Sequence, residues 1–151
     1  MSENLVATAR LLARAGAGKP RQSDLRRAVG TACYAVFHAV ARDAADLLVG
    51  TGRASKRPEW SQVYRALDHG VAKAACTRIR DGGGPLAFVA DAFVEPQLAR
   101  RDADYDPAFR VGRSTAVFHC DQAAEALATL SCIPRPDRRA FAVALLFRNR
   151  R

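Results

Sequence analysis

Arg27-Ala28-Val29-Gly30-Thr31-Ala32-Cys33-Tyr34-Ala35-Val36-Phe37-His38 is the stretch that decides the fold class. It is rich in alanine, the best helix former, and shows none of the strict alternation a half-buried strand would need. Arg27, Thr31, Tyr34 and His38 recur at helical spacing and share one face. A polar stripe on an otherwise apolar helix must find partners, because an unpaired buried polar group is costly. The plain expectation is that Tyr34 and His38 are core residues, each satisfied by one hydrogen bond.

Outward from this helix the pattern stays helical. Ser23 is a suitable N-cap and Gly50-Thr51-Gly52 a stop, so the helix is expected to reach about Val49. A short helix precedes it, from about Glu3 to Ala15, ended by Gly16-Ala17-Gly18-Lys19-Pro20. A third is expected from Glu59 to Ile79, with Trp60, Val63, Tyr64, Leu67 and Val71 on one face. Between the second and third lies a basic loop, Arg53-Ala54-Ser55-Lys56-Arg57-Pro58. A fourth helix runs from Leu86 to Ala103, where Pro96 should kink or break the ladder. A fifth spans Ala108 to Ser131 with Asp106 as its cap, and a last one spans Asp137 to Phe147 before a basic tail at 148–151. Five to six helices, short connections and no strands predict an all-α helical bundle in a single domain over 1–151.

Length and composition agree. The chain has 151 residues, 49% of them hydrophobic and 26% charged, which excludes wholesale disorder and allows a core without disulfide or metal staples. Lys and Arg total 24 against 15 acids, a net charge of +9, and the pI is near 10.3. Such a surplus points to a polyanionic partner, either nucleic acid or an anionic membrane surface. Arginine dominates it, since the lysines are only Lys19, Lys56 and Lys73.

Several chemistries are excluded by spacing. Cys33, Cys76, Cys120 and Cys132 form no Cys-x-x-Cys pair, and His119 and Cys120 point about 100° apart on a helix, so no metal site is expected. Buried free thiols are the default. Gly18-Lys19 lacks the upstream glycine and the following Ser or Thr of a phosphate loop. Gly82-Gly83-Gly84 has no flanking strand and reads as a connector. No cofactor is expected. With no apolar leader and no apolar run of membrane length, the expected setting is cytoplasmic, with reduced thiols and no membrane partner.

The second informative stretch is Phe93-Val94-Glu95-Pro96-Gln97-Leu98-Ala99-Arg100-Arg101-Asp102-Ala103-Asp104-Tyr105-Asp106-Pro107. At about 100° per residue, Arg100 and Asp104 both fall within roughly 20° of Phe93. If Phe93 faces the core, Arg100 turns inward and must be paired, with Asp104 the nearest acid. Such an Arg is either a helix-to-helix link or a rigid receiver for phosphate, whose geometry the planar guanidinium matches. Tyr105 would stand at the rim.

Together, the Leu25–His38 helix, the Trp60-to-Gly70 segment and the Arg100-x-x-Ala103-Asp104-Tyr105-Asp106 segment resemble the HEPN superfamily. The likeness is to a small prokaryotic branch of it and extends over about residues 22–147. The resemblance implies a helical bundle that forms a homodimer. It further implies one of two activities in toxin–antitoxin or phage-defence systems. One is metal-independent RNA endonuclease activity; the other is a non-catalytic RNA-binding or protein-interaction role. In the first, Arg100, Asp104, Tyr105 and His38 would form the catalytic set, with Arg26, Arg27, Arg57, Arg65 and Arg101 binding RNA. The family's motif histidine is absent, its slot being filled by Tyr105, Asp106 or Pro107. The resemblance also allows a toxin half held inactive by a cognate antitoxin or by a nucleotidyltransferase that modifies Tyr105.

Overall fold

The computed structural model describes residues 1–147, and the basic tail at 148–151 lies outside the described residues. The fold is all-α. The helices are α1 (Ser2–Arg14), α2 (Gln22–Leu48), α3 (Pro58–Arg65), α4 (His69–Arg80), α5 (Gly84–Tyr105), α6 (Arg113–Cys132) and α7 (Arg135–Leu146), with a 3₁₀ turn at Gly52–Lys56. The described chain divides into two compact units, one from residues 1–37 and 92–128, the other from 38–91 and from 129 to the last described residue, 147.

The first unit is built on alanine-rich helix faces. Val6, Ala9 and Ala13 of α1 are buried, as are Leu25, Ala28, Val29, Ala32, Ala35 and Val36 of α2. These fall at i, i+3, i+4 and i+7, the stripe a core-facing helix needs. The α2 and α5 segments of this unit pair antiparallel. Phe37 stacks on Phe93 with ring centroids 6.1 Å apart. Tyr34 bonds Arg100, Gly30 lies beside Asp104, and Arg26 reaches Ala103. Numbers fall on one helix as they rise on the other. In the second unit α4 packs on α7, with Ala72, Ala75 and Cys76 buried on one helix and Phe141, Ala142 and Leu145 on the other.

Arginines close three helix C-termini, where the last carbonyls lack intrahelical donors. Arg113 Nη2 donates to the carbonyls of Ala15, Gly16 and Gly18 after α1, at 3.1–3.3 Å. Arg26 donates to Ala103, Asp102 and Asp106 at the end of α5. Arg138 Nε donates to Ile133 just past α6, at 3.1 Å, and its Nη1 pairs with Asp43. A cation there also opposes the negative end of the helix dipole.

Four sequence expectations are corrected. Among the described residues the α-helices number seven, slightly above the expected five to six. The helix expected over Glu59 to Ile79 is two, because Asp68 turns its side chain onto the Val71 N–H at 2.9 Å and starts α4 anew. Of the kink or break expected at Pro96, the break does not occur: α5 runs through it, and buried Phe93, Val94 and Ala103 on either side hold it by packing. The helix expected from Ala108 starts at Arg113, because Asp106 Oδ1 accepts the Ala108 N–H in a turn, at 2.8 Å. The Gln22 side chain then clamps both backbone groups of Val111.

Replacing Arg113 with Ala orphans three carbonyl acceptors and is expected to cost about 1–2 kcal/mol. Arg113→Lys should recover only part of that, since an ammonium lacks the planar fork. Urea unfolding of the two variants against wild type checks this, and an unchanged midpoint for Arg113→Ala would refute the capping role.

Candidate functional site

The antiparallel α2–α5 pair brings Arg100, Asp104 and Tyr34 together in the first unit. Arg100 Nε donates to Asp104 Oδ2 at 3.3 Å, one helical turn on. Its Nη2 donates to the Tyr34 hydroxyl at 2.5 Å, and its Cζ lies 4.2 Å from the centroid of the Tyr34 ring, within cation–π range. The arginine turns inward as its spacing from Phe93 predicts: its side chain is 21% exposed. Two directed bonds and a ring hold the guanidinium still, while Nη1 and the second hydrogen of Nη2 stay open to a ligand.

Tyr34 itself corrects an expectation. It is 39% exposed rather than a core residue, so its ring roofs Arg100 at the surface. Tyr105, the last residue of α5, is 79% exposed, as the rim placement predicts. Arg101 is also exposed and lies 3.6 Å from Asp102. Arg27 is exposed one residue from Arg26, whereas Arg26 is committed to the α5 carbonyls. Around this cluster Arg26, Arg27, Arg100 and Arg101 stand against Asp102, Asp104 and Asp106, so the local positive surplus is small.

The remaining named residues belong to the second unit. His38 Nδ1 bonds the Tyr64 hydroxyl at 2.6 Å, and the two rings lie edge to edge with 12° between their planes. Burial pushes the His38 imidazole below its ordinary 6.5 and the Tyr64 phenol above its ordinary 10.0. Arg57 and Arg65 flank α3, both exposed. Trp60 stacks on Tyr64 at 5.2 Å and donates its indole N–H to Asp46 Oδ1 at 2.8 Å. Sequence reasoning assigned Trp60 and Tyr64 to a core face. The signal that would have separated them is their place directly after the basic Arg53–Arg57 stretch.

Cys33, Cys76 and Cys120 are buried and Cys132 is exposed, the last against the expectation of buried thiols. Burial pushes Cys33 up to about 11, opposed by Arg100, and Cys120 likewise up to about 11. It pushes Cys76 up to about 12. No group of three or more His, Cys, Asp or Glu among the described residues could hold a metal ion, and no described helix is long and apolar enough to cross a membrane.

No protein-family model, curated protein or solved structure matches the chain.

Two outcomes follow from these environments. A thiol reagent at pH 7.5 is expected to label Cys132 quickly and the other three only on unfolding, because only a thiolate attacks and burial keeps them protonated; mass spectrometry of the labelled peptides reads it. The second concerns His38 and His119, both held below 6.5 by burial. As pH falls the unfolded state takes up protons first, so their stability contribution is complete above about 6.5 and is lost below it. The thermal midpoint should fall between pH 7.5 and 5.5, with a shallower fall in His119→Gln.

Proposed function

We propose that this is a HEPN-like, RNA-directed protein in which Arg100 receives a backbone phosphate, and that it works as a metal-independent endoribonuclease in a toxin–antitoxin or phage-defence setting. The observation that carries the reading is the guanidinium of Arg100, fixed by Asp104 and Tyr34 with donors still open. In the reaction the RNA 2′-oxygen bonds to the adjacent phosphorus as the bond to the 5′-oxygen breaks. The 2′ proton leaves to a base and the departing oxygen gains one, giving a 2′,3′-cyclic phosphate and a free 5′-hydroxyl. Arg100 serves the charge that grows on the phosphoryl oxygens, where a prepositioned donor has most leverage. Tyr105 is the proton-handling candidate, since His38 belongs to the second unit and is bonded to Tyr64 there. Cytoplasmic location and a homodimer are part of the same reading, as is a cognate antitoxin.

A second reading is favoured by a specific observation. The groups bonded to Arg100 are a carboxylate and a phenol, and neither is the imidazole that most often serves as a general base. A module that binds RNA or a partner protein without cleaving needs only the fixed cation. In a third, Tyr105 is the target of a modifying nucleotidyltransferase, which its exposure suits.

Total RNA incubated with wild type in EDTA is expected to yield fragments with 2′,3′-cyclic phosphate ends. Arg100→Ala should slow this by about a hundredfold or more, the usual loss for one such donor. Intact RNA with folded wild type would remove the nuclease. Salt-dependent binding weakened by Arg100→Ala would then leave the module. A mass increase on Tyr105 after co-expression with a neighbouring gene would favour the third reading.

A further inference from the structure

The cations left unused by the fold have a second gathering point. From residue 53 to 65 the chain carries Arg53, Lys56, Arg57 and Arg65 against a single acid, Glu59. All four cations are exposed, and none makes an ion pair among the described residues. Arg113, Arg26 and Arg138 elsewhere are occupied by carbonyls. The 3₁₀ turn that bears the first cations is closed by Ser55 Oγ donating to the Gly52 carbonyl at 2.7 Å.

One turn into α3 stands Trp60, whose backbone N–H donates to the Arg57 carbonyl, so that indole and cation rise from the same turn. Trp60 is held from two sides. Its N–H is fixed by Asp46 at 2.8 Å, and Asp46 is flanked by Arg42 at 3.6 Å. One face of its ring lies on Tyr64, with 19° between planes, and the Tyr64 hydroxyl is fixed in turn by His38 Nδ1 at 2.6 Å. Trp60 thus ends a two-ring stack, has no other ring against it among the described residues and is half-buried. A rigid, partly open aromatic beside unpaired cations is the pairing that single-stranded nucleic acid needs: a π-face for a base and positive charge for its phosphates. A duplex cannot use the ring, since its bases are already stacked.

We propose that Trp60, with Arg53, Lys56 and Arg57, forms a site for single-stranded RNA in which an unpaired base stacks on the Trp60–Tyr64 pair and the flanking phosphates lie on the three cations. The proposal deepens the RNA reading and rests on it. It assigns strand capture to a different place from Arg100, where acids nearly balance the cations.

Trp60 is the only tryptophan, so the intrinsic emission of the full chain reports this site alone. Titration with a 12-nucleotide oligouridine in EDTA should quench that emission saturably. A 12-base-pair RNA duplex or inorganic polyphosphate should leave it nearly unchanged. With labelled oligouridine, anisotropy should show about a tenfold loss of affinity in Trp60→Ala, the cost of one stacked base, and near-native affinity in Trp60→Phe. Arg53→Ala with Arg57→Ala should flatten the salt dependence by about two phosphate contacts. Saturated anisotropy without quenching overturns the proposal even if Trp60→Ala fails to fold. Equal affinity of Trp60→Ala and wild type overturns it too, as does equal quenching by polyphosphate or duplex. Arg100→Ala run in parallel separates the two readings. If it abolishes cleavage while Trp60 is not quenched, the Trp60 site alone fails. If it changes nothing while oligouridine quenches Trp60, the Arg100 reading alone fails. If no RNA binds, both fail.

Discussion

The fold depends on guanidinium groups laid against the carbonyl ends of helices. An α-helix ends with acceptors that nothing inside it can satisfy, and the common remedy is a glycine turn folded back on the last residues. Here the remedy comes from another helix. Arg113 opens α6 and closes α1; Arg26 sits in α2 and closes α5; Arg138 sits in α7 and closes α6. Each cap is therefore also a tertiary contact, which fixes where one helix ends relative to its neighbour. With cores made largely of alanine, large interlocking side chains are scarce, and directional bonds of this kind set registers that packing alone would leave loose.

This changes what the charge surplus means. A net charge of +9 reads first as a footprint for a polyanion, yet part of the arginine content is structural. Arg26 shows the difference best. By sequence it is one of a basic pair with Arg27, but its guanidinium is spent on three carbonyls while Arg27 stays exposed. The same bond serves the candidate site. The end of α5 carries a negative dipole and Asp104 a negative charge, both hostile to phosphate. Arg26 offsets the first and Arg100 is paired to the second.

Periodicity made the long helices legible. The buried stripe of α2 and the inward turn of Arg100 toward the Phe93 face follow from 100° per residue, as does its pairing with Asp104. What periodicity missed were interruptions set by single side chains. Asp68 restarts a helix inside a continuous apolar pattern, and Gln22 holds Val111 out of α6 through bonds that span the sequence. Pro96 failed as a breaker for the opposite reason, since burial on both sides outweighs one lost hydrogen bond. In the candidate site, Tyr34 was legible as a polar position but not as the partner of Arg100. Only the antiparallel register of α2 and α5, which no local pattern encodes, brings the two together.

The proposed RNA reading makes two demands on the cations. To stabilise charge on a phosphate a cation must be held still, and Arg100 is held by a carboxylate, a hydroxyl and a ring face. To attract a strand from solution cations must be unpaired and numerous, and Arg100 has Asp104 beside it. The two requirements conflict at one residue, because the acid that fixes the guanidinium also weakens its field. In the proposed RNA reading, paired arginines of the first unit and the exposed cations from Arg53 to Arg65 of the second, unpaired among the described residues, would meet the two demands with different residues.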